Sequence, residues 1–322
     1  MKKQSFFWSL TLAVLAVPVL LRAQDGADPL RYLEQFNAEH GAVTARNLEY
    51  IQYSVHVEDY VEVEKKRQEV LRQMDETIKR TAAMPAYKGN AAMRDEMVAT
   101  IKSYRESFTI EFNELNLLKQ ESKESFEAME AYFKAQDEAE KKLGQASKRF
   151  YTAQKTFAKE HNIRLVEAEE NSEVEQINQV NAYQRAIFLK YFKVSKHNAV
   201  FMDALAKEDP KGMERARMLL SNDTDAALLV LRKMPGFKGD VAYRDAAIKL
   251  IEFYDQLAED GFQKITAIKR KKELTQEDVD IFNGVIEHYN GNADGLLKNY
   301  NDALNQLLRN NVPKPPTSTK RI

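Results

Sequence analysis

The sequence predicts an all-α protein made of two tandem four-helix up-down modules that arose by internal duplication. Three observations carry this. The segment Met84-Pro85-Ala86-Tyr87-Lys88-Gly89-Asn90-Ala91-Ala92-Met93-Arg94-Asp95 returns as Met234-Pro235-Gly236-Phe237-Lys238-Gly239-Asp240-Val241-Ala242-Tyr243-Arg244-Asp245, offset by 150 residues, and such a spacing is about one domain of chain. Proline is missing from Leu30 to Ala83 and from Ala86 to Asp209, and these stretches are rich in strong helix formers. Runs of alternating β-branched residues are missing too, so no sheet is expected.

The elements follow in order. Residues 1–23 have the make-up of an export signal: Lys2 and Lys3, an apolar run from Trp8 to Leu21, then Leu21-Arg22-Ala23 with a small residue at the cleavage position. The apolar run is short for a membrane span, which takes about 20 residues, so no transmembrane segment is expected after cleavage. Module 1 covers residues 24–163. Its first helix opens at Asp28-Pro29 and carries Leu33, Phe36, Val43, Leu48, Ile51 and Val55 at helical spacing. The second runs from about Asp59 to Ala83, the third starts at Asn90, and the fourth spans about Ser122 to His161.

Module 2 covers residues 164–312 and begins with the acidic connector Leu165–Glu173. Its first helix holds Ile177, Val180, Phe188, Tyr191 and Phe192, and Asp209-Pro210-Lys211-Gly212 interrupts the chain. Thr275-Gln276-Glu277-Asp278 reads as a capping box with Asp in the Glu position, opening a last helix with Phe282, Val285, Tyr289, Tyr300 and Leu304 on one side. Leu48–His56 resembles Leu189–His197 at an offset of 141. That register implies nine extra residues near Pro210-Lys211-Gly212, and places His56 and His197 each at the end of a first helix. Residues 313–322 are proline- and hydroxyl-rich and are expected to form a disordered tail.

Composition narrows the chemistry. The 322 residues include no cysteine, which excludes a lipid-modified N-terminus, disulfides, thiolate metal sites and cysteine nucleophiles. Cleavage after Ala23 leaves 299 residues and, by removing Lys2, Lys3 and Arg22, moves the net charge from −1 to −4. No basic stripe suited to nucleic acid stands out. The residues three before His40, His56, His161, His197 and His288 are Asn37, Tyr53, Ala158, Val194 and Val285, so the Glu-x-x-His pattern of di-iron bundles is missing. No zinc-protease, phosphate-loop, calcium-loop or dinucleotide motif occurs. No metal, cofactor or enzymatic activity is expected.

The repeated break is the one candidate site. Pro85 and Pro235 stop a preceding helix, Gly89 and Gly239 allow a left-handed turn, and Asn90 and Asp240 can cap the next helix. Tyr87 and Phe237 can plug a bundle end. Arg94 and Arg244 fall in a first helical turn, where the macrodipole disfavours a cation. Neighbouring helix positions do not face each other, so Asp95 and Asp245 are poor partners, and a carboxylate on another helix or a ligand is expected instead. The candidate ligand-binding set is therefore Tyr87, Lys88, Arg94, Phe237, Lys238 and Arg244, taking an anion or carboxylate. Tyr50, Tyr53, Tyr60, Tyr183, Tyr191 and Phe192 could line a ligand groove, but at helical spacing they read as core. The cations from Lys264 to Lys272 lie near a helix end, where the dipole favours them; contact with an acidic surface polymer or lipid headgroup is the weaker alternative.

The Met-Pro-x-[Tyr/Phe]-Lys-Gly-[Asn/Asp] break, the following Arg-Asp, the Ile-x-x-Tyr at Ile101–Tyr104 and Ile251–Tyr254 and the export signal together resemble a family of exported helical surface proteins of spirochaetes and Bacteroidota. The resemblance covers both modules and implies neither an activity nor residue roles. Many members carry a lipobox cysteine, which this chain lacks. The expectation is a non-enzymatic interaction or structural protein of the cell envelope, periplasmic or at the cell surface, engaging an envelope protein or polymer. The alternative is a small-ligand binding or sensing module at the duplicated break.

Overall fold

A computed structural model describes residues 19–21, 27–117, 123–167 and 172–315. The charged start of the expected signal, the cleavage position at Ala23 and residues 316–322 of the expected tail lie outside the described residues, as do the side chains of Tyr60, Phe126, Met129 and Phe133. The fold is all-α. Its helices are α1 (Ala27–His56), α2 (Tyr60–Ala83), α3 (Ala92–Leu117), α4 (Lys123–Glu160), α5 (Ser172–Ala206), α6 (Pro210–Leu231), α7 (Ala242–Gln256), α8 (Phe262–Ile268) and α9 (Gln276–Asn311). A five-residue π turn, Leu257–Gly261, joins α7 to α8. One correction concerns the expected absence of sheet. Strand β1 (Val19–Leu21) pairs antiparallel with β2 (Leu165–Glu167), Val19 opposite Glu167. The reason is local: Asn162 takes φ 53 and closes α4, so the chain leaves extended through the apolar pair Leu165-Val166.

The chain divides into two compact units, Met1–Gln179 with Asn311–Ile322, and Val180–Asn310. The sequence places this boundary at 163/164; the division falls inside α5 instead. The start of α5 groups with the chain's end, where Gln176 Nε2 donates to the Asn311 carbonyl at 2.9 Å and His56 Nε2 donates to the Val312 carbonyl at 2.7 Å. In unit 1, α1 packs on α2, α2 on α3, and α3 on α4. Leu33, Phe36, Val43, Val70, Met74, Met97 and Ile101 form its core, each burial contributing about 1.5–3 kcal/mol. Unit 2 buries Ile187, Phe201, Leu220, Leu250, Ile251 and Phe262. Phe201 and Phe262 stack 3.9 Å apart and nearly parallel, and the buried Tyr243 and Tyr300 hydroxyls share a 2.6 Å hydrogen bond.

Several starts are set by cap chemistry. Asp59 accepts from the Val61 N–H and Asp209 from the Lys211 N–H, with Pro210 at the first helical position. The capping box forms as expected: Asp278 Oδ2 accepts from the Thr275 N–H at 3.1 Å, and Thr275 Oγ1 accepts from the Asp278 N–H at 3.2 Å. Lys271 adds a 2.6 Å ion pair to Asp278, and its hydrogen bond holds that carboxyl below its usual range. Lys264 and Lys269 of the same basic cluster pair with Asp260 and Glu208.

The 141 register of the first helices is a second correction. The α1–α2 and α5–α6 turns, 57–59 and 207–209, are equally long, so no residues are inserted near Pro210. His56 ends α1, whereas His197 lies well inside α5. There it approaches Asp223 to 2.7 Å, while Lys193 lies 2.8 Å from the other carboxylate oxygen. Contacts instead pair the first helices at 151. Tyr32 packs on Tyr87 at 5.1 Å as Tyr183 packs on Phe237 at 5.5 Å. The buried Val43 and Asn47 match the buried Val194 and Asn198. A shift of ten residues is close to three helical turns, so both registers keep the same face inward and the false one looks plausible in sequence.

Candidate functional site

Each repeated break is a tight hairpin between two helices. Tyr87 and Asn90 exchange backbone hydrogen bonds of 3.1 and 2.9 Å; Phe237 and Asp240 exchange bonds of 2.8 and 2.9 Å. Between them Lys88 and Gly89 take φ 47 and 84, and Lys238 and Gly239 take φ 50 and 90. Two successive left-handed residues make a type I′ turn, which favours Asn-Gly. Asn90 Oδ1 accepts from the Ala92 N–H at 2.9 Å and Asp240 Oδ1 from the Ala242 N–H at 2.8 Å; each serves the first helical N–H from one residue before the cap position, which Val241 holds in α7 without a side-chain bond. Tyr87 plugs the end of unit 1 against Tyr32, Phe157 and His161, with ring centroids 4.9–5.2 Å away.

The arginines find their partners next door, contrary to the expectation of a distant carboxylate or ligand. Arg94 Nε donates to Asp95 Oδ1 at 2.8 Å and its Nη1 to the Met84 carbonyl at 3.3 Å. Arg244 repeats both bonds, to Asp245 at 2.8 Å and to the Met234 carbonyl at 2.6 Å. The rule that adjacent helical residues diverge holds for a helix interior. At a first turn the long guanidinium folds back over the incoming chain, and Asp95 or Asp245 swings beside it. The two arginine side chains are 26% and 19% exposed. Their hydrogen bonds pin each helix start to the carbonyl of the methionine that follows the preceding helix.

Lys88 and Lys238 remain at the tips, exposed. Each ammonium lies over its neighbouring ring, 5.4 Å from Tyr87 and 5.7 Å from Phe237, within cation–π range. A side chain at left-handed φ costs roughly 1 kcal/mol. Lys238→Asn, which accepts that backbone more readily, is expected to raise stability by about 0.5–1 kcal/mol, read as a higher thermal midpoint.

Beside the first break, α3 and α4 enclose a groove of about 530 Å³ whose walls include Asn90, Glu96, Arg149, Thr152, Phe157 and Glu160. Arg149 Nε donates to Glu96 Oε2 across it at 2.9 Å. Among the described residues no cluster of three His, Asp or Glu side chains could hold a metal, and no helix is long and apolar enough to cross a membrane. Of the aromatic residues read as core, Tyr191 is buried, Tyr50, Tyr53, Tyr183 and Phe192 are half-buried, and the Tyr60 side chain lies outside the described residues. Tyr50 lies 5.3 Å from Phe108, Phe192 lies 5.4 Å from Phe188, and burial pushes the Tyr191 hydroxyl up to about 12.

A second region was not read from the sequence. The outer face of α6 carries exposed aliphatic side chains among its polar ones: Met218 is 54% exposed and Leu229 60%, with Leu219 and Val230 beside them and Val200 exposed on α5. The matching positions of α2, 150 residues earlier, are polar. Gln68 stands for Met218, Glu69 for Leu219, Glu76 for Ala226, Lys79 for Leu229 and Arg80 for Val230. In unit 1 these charges tie α1 to α2. Arg80 bonds Glu39 at 2.7 and 2.9 Å, and Lys66 bridges Glu49 and Glu69 at 2.6 and 3.1 Å. Reading the two copies against each other at 150 and asking which outward positions changed character is the signal that finds this face.

Compared with known proteins, the chain matches no family model, no curated protein and no solved structure.

Proposed function

We propose that this is an exported, non-enzymatic interaction or structural protein of the cell envelope, built from two copies of one helical module. Residues 1–23 act as its signal peptide, and the released chain works in the periplasm or at the cell surface. One observation carries the reading: the aliphatic outer face of α6, where the equivalent helix of unit 1 is charged. Because α2 occupies the matching place with a charged surface, the apolar residues of α6 are not a requirement of the fold. Exposed aliphatic side chains gathered on one helix face mark contact with another molecule.

Ligand binding at the repeated break takes second place. The groove beside Asn90 favours it, but Arg94 and Arg244 already spend their hydrogen bonds on Asp95, Asp245 and two backbone carbonyls. Likeness to the exported surface proteins of spirochaetes and Bacteroidota agrees with the leading reading and rests on the sequence motifs.

The test is made in the producing cells. A photo-crosslinking amino acid in place of Leu229 is expected to yield a discrete adduct in the envelope fraction, and the same group in place of Lys79 none. Recovery of the chain in the cytosol, or equal labelling from both positions, would refute the proposal. Release with Gln24 as the first residue is the expected N-terminal sequence.

A further inference from the structure

We infer that the outer face of α6 is a self-complementary surface through which two copies of this chain pair, the two α6 helices running antiparallel. The inference rests on reading that face as an interaction surface and names its occupant. Most soluble oligomers are two-fold symmetric, and a two-fold interface sets one patch against itself. Such a patch must carry its own complement on opposite sides of its centre.

The α6 face meets that condition. Arg215 and Asp225 are exposed charged residues on it, and neither has an ion pair or hydrogen bond to its side chain among the described residues. They flank Leu219 and Asn222, lying on either side of the midpoint at residue 220. An antiparallel pairing about that midpoint sets Arg215 of each copy alongside Asp225 of the other, giving two equivalent interchain ion pairs. It brings Met218 against Asn222 of the other copy. Leu229 then covers the aliphatic stem of Lys211, whose ammonium stays in water. A parallel pairing would instead oppose Arg215 to Arg215 and Asp225 to Asp225, which like-charge repulsion disfavours.

The face is that of a weak, reversible pair. The 22 residues of α6 span about 33 Å, and one helix is about 10 Å wide. That gives roughly 330 Å² per copy, in the range of transient contacts. A lipid surface fits less well, because Asp225 would be pressed among headgroups within the apolar strip. Unit 1 lacks the surface, since α2 presents charge at the matching positions.

The experiment is sedimentation velocity of the full chain from low-micromolar concentration upward, with circular dichroism to verify that each variant folds. The native chain is expected to pass from monomer to dimer. Leu229→Lys is expected to raise the dissociation constant at least about tenfold, whereas Lys79→Glu on α2 leaves it unchanged. Arg215→Asp and Asp225→Arg each weaken pairing by at least about tenfold, and the double exchange restores it. A native chain that stays monomeric, a dimer indifferent to Leu229→Lys, or a double exchange that fails to recover pairing overturns the inference. So does Leu229-dependent sedimentation with anionic phospholipid vesicles by a chain that never dimerises. A Leu229 crosslink to a different protein from a monomeric chain would keep the interaction reading and sink this one. No crosslink from that position would sink both.

Discussion

Phe262→Ala is expected to lower the unfolding free energy by about 3–5 kcal/mol. The ring is fully buried, stacks on the buried Phe201, and stands directly after the π turn. Collapse around the lost ring is resisted on both sides. Arg217 anchors the π turn by donating to the Ala258 carbonyl at 3.1 Å while holding Glu214 at 2.8 Å. A methyl added at Gly261 would come within 2.9 Å of a Val285 methyl, so α9 already lies against the turn with no room to settle further. A urea midpoint that falls steeply with an unchanged slope would agree. A loss under about 1 kcal/mol would mean the site relaxes freely.

A second large effect is expected with pH. His40 is partly buried beside Phe150 and Tyr104, its Nε2 3.3 Å from the Tyr104 hydroxyl, and burial lowers its pKa to about 4. The folded chain thus holds a neutral imidazole where the unfolded chain has one with a pKa near 6.5. Above pH 6.5 both states are neutral and stability is complete. As pH falls from 6.5 towards 4 only the unfolded chain takes up the proton, so stability declines, and below 4 this contribution is gone. The loss is about 2 kcal/mol, held below the full value of the shift because part of the ring meets solvent. Tyr191 holds the corresponding place in unit 2, so His40→Tyr is a replacement the architecture already uses. Unfolding free energies measured at pH 7 and 4.5 are expected to differ less in that variant. An identical difference would show that His40 does not titrate as described.

What could be read from sequence was chemistry confined to a few neighbouring residues. Asp59, Asp209 and the Thr275–Asp278 pair declare helix starts because a cap acts within one turn. The hairpins at Lys88-Gly89 and Lys238-Gly239 were legible as breaks, though not as type I′ turns, because lysine is an uncommon left-handed residue. Arg94 and Arg244 were misassigned because a rule for helix interiors was applied to a first turn. The pairing of Leu48–His56 with Leu189–His197 failed because amphipathic helices resemble themselves when shifted by about three turns. The face of α6 escaped notice for another reason. Met218-Leu219-Leu220 and Leu228-Leu229-Val230 look like core, although two members of each triplet point outward.

The contacts of His56 and Gln176 with Val312 and Asn311 bear on the order of assembly. The last helix must be made before either side chain meets its acceptor, although α1 through α4 leave the ribosome first. Vectorial synthesis therefore delivers an N-terminal bundle whose closing latch arrives last. A stop codon placed just before Asn311 is expected to damage the part of the protein translated earliest, while sparing the residues nearest the cut.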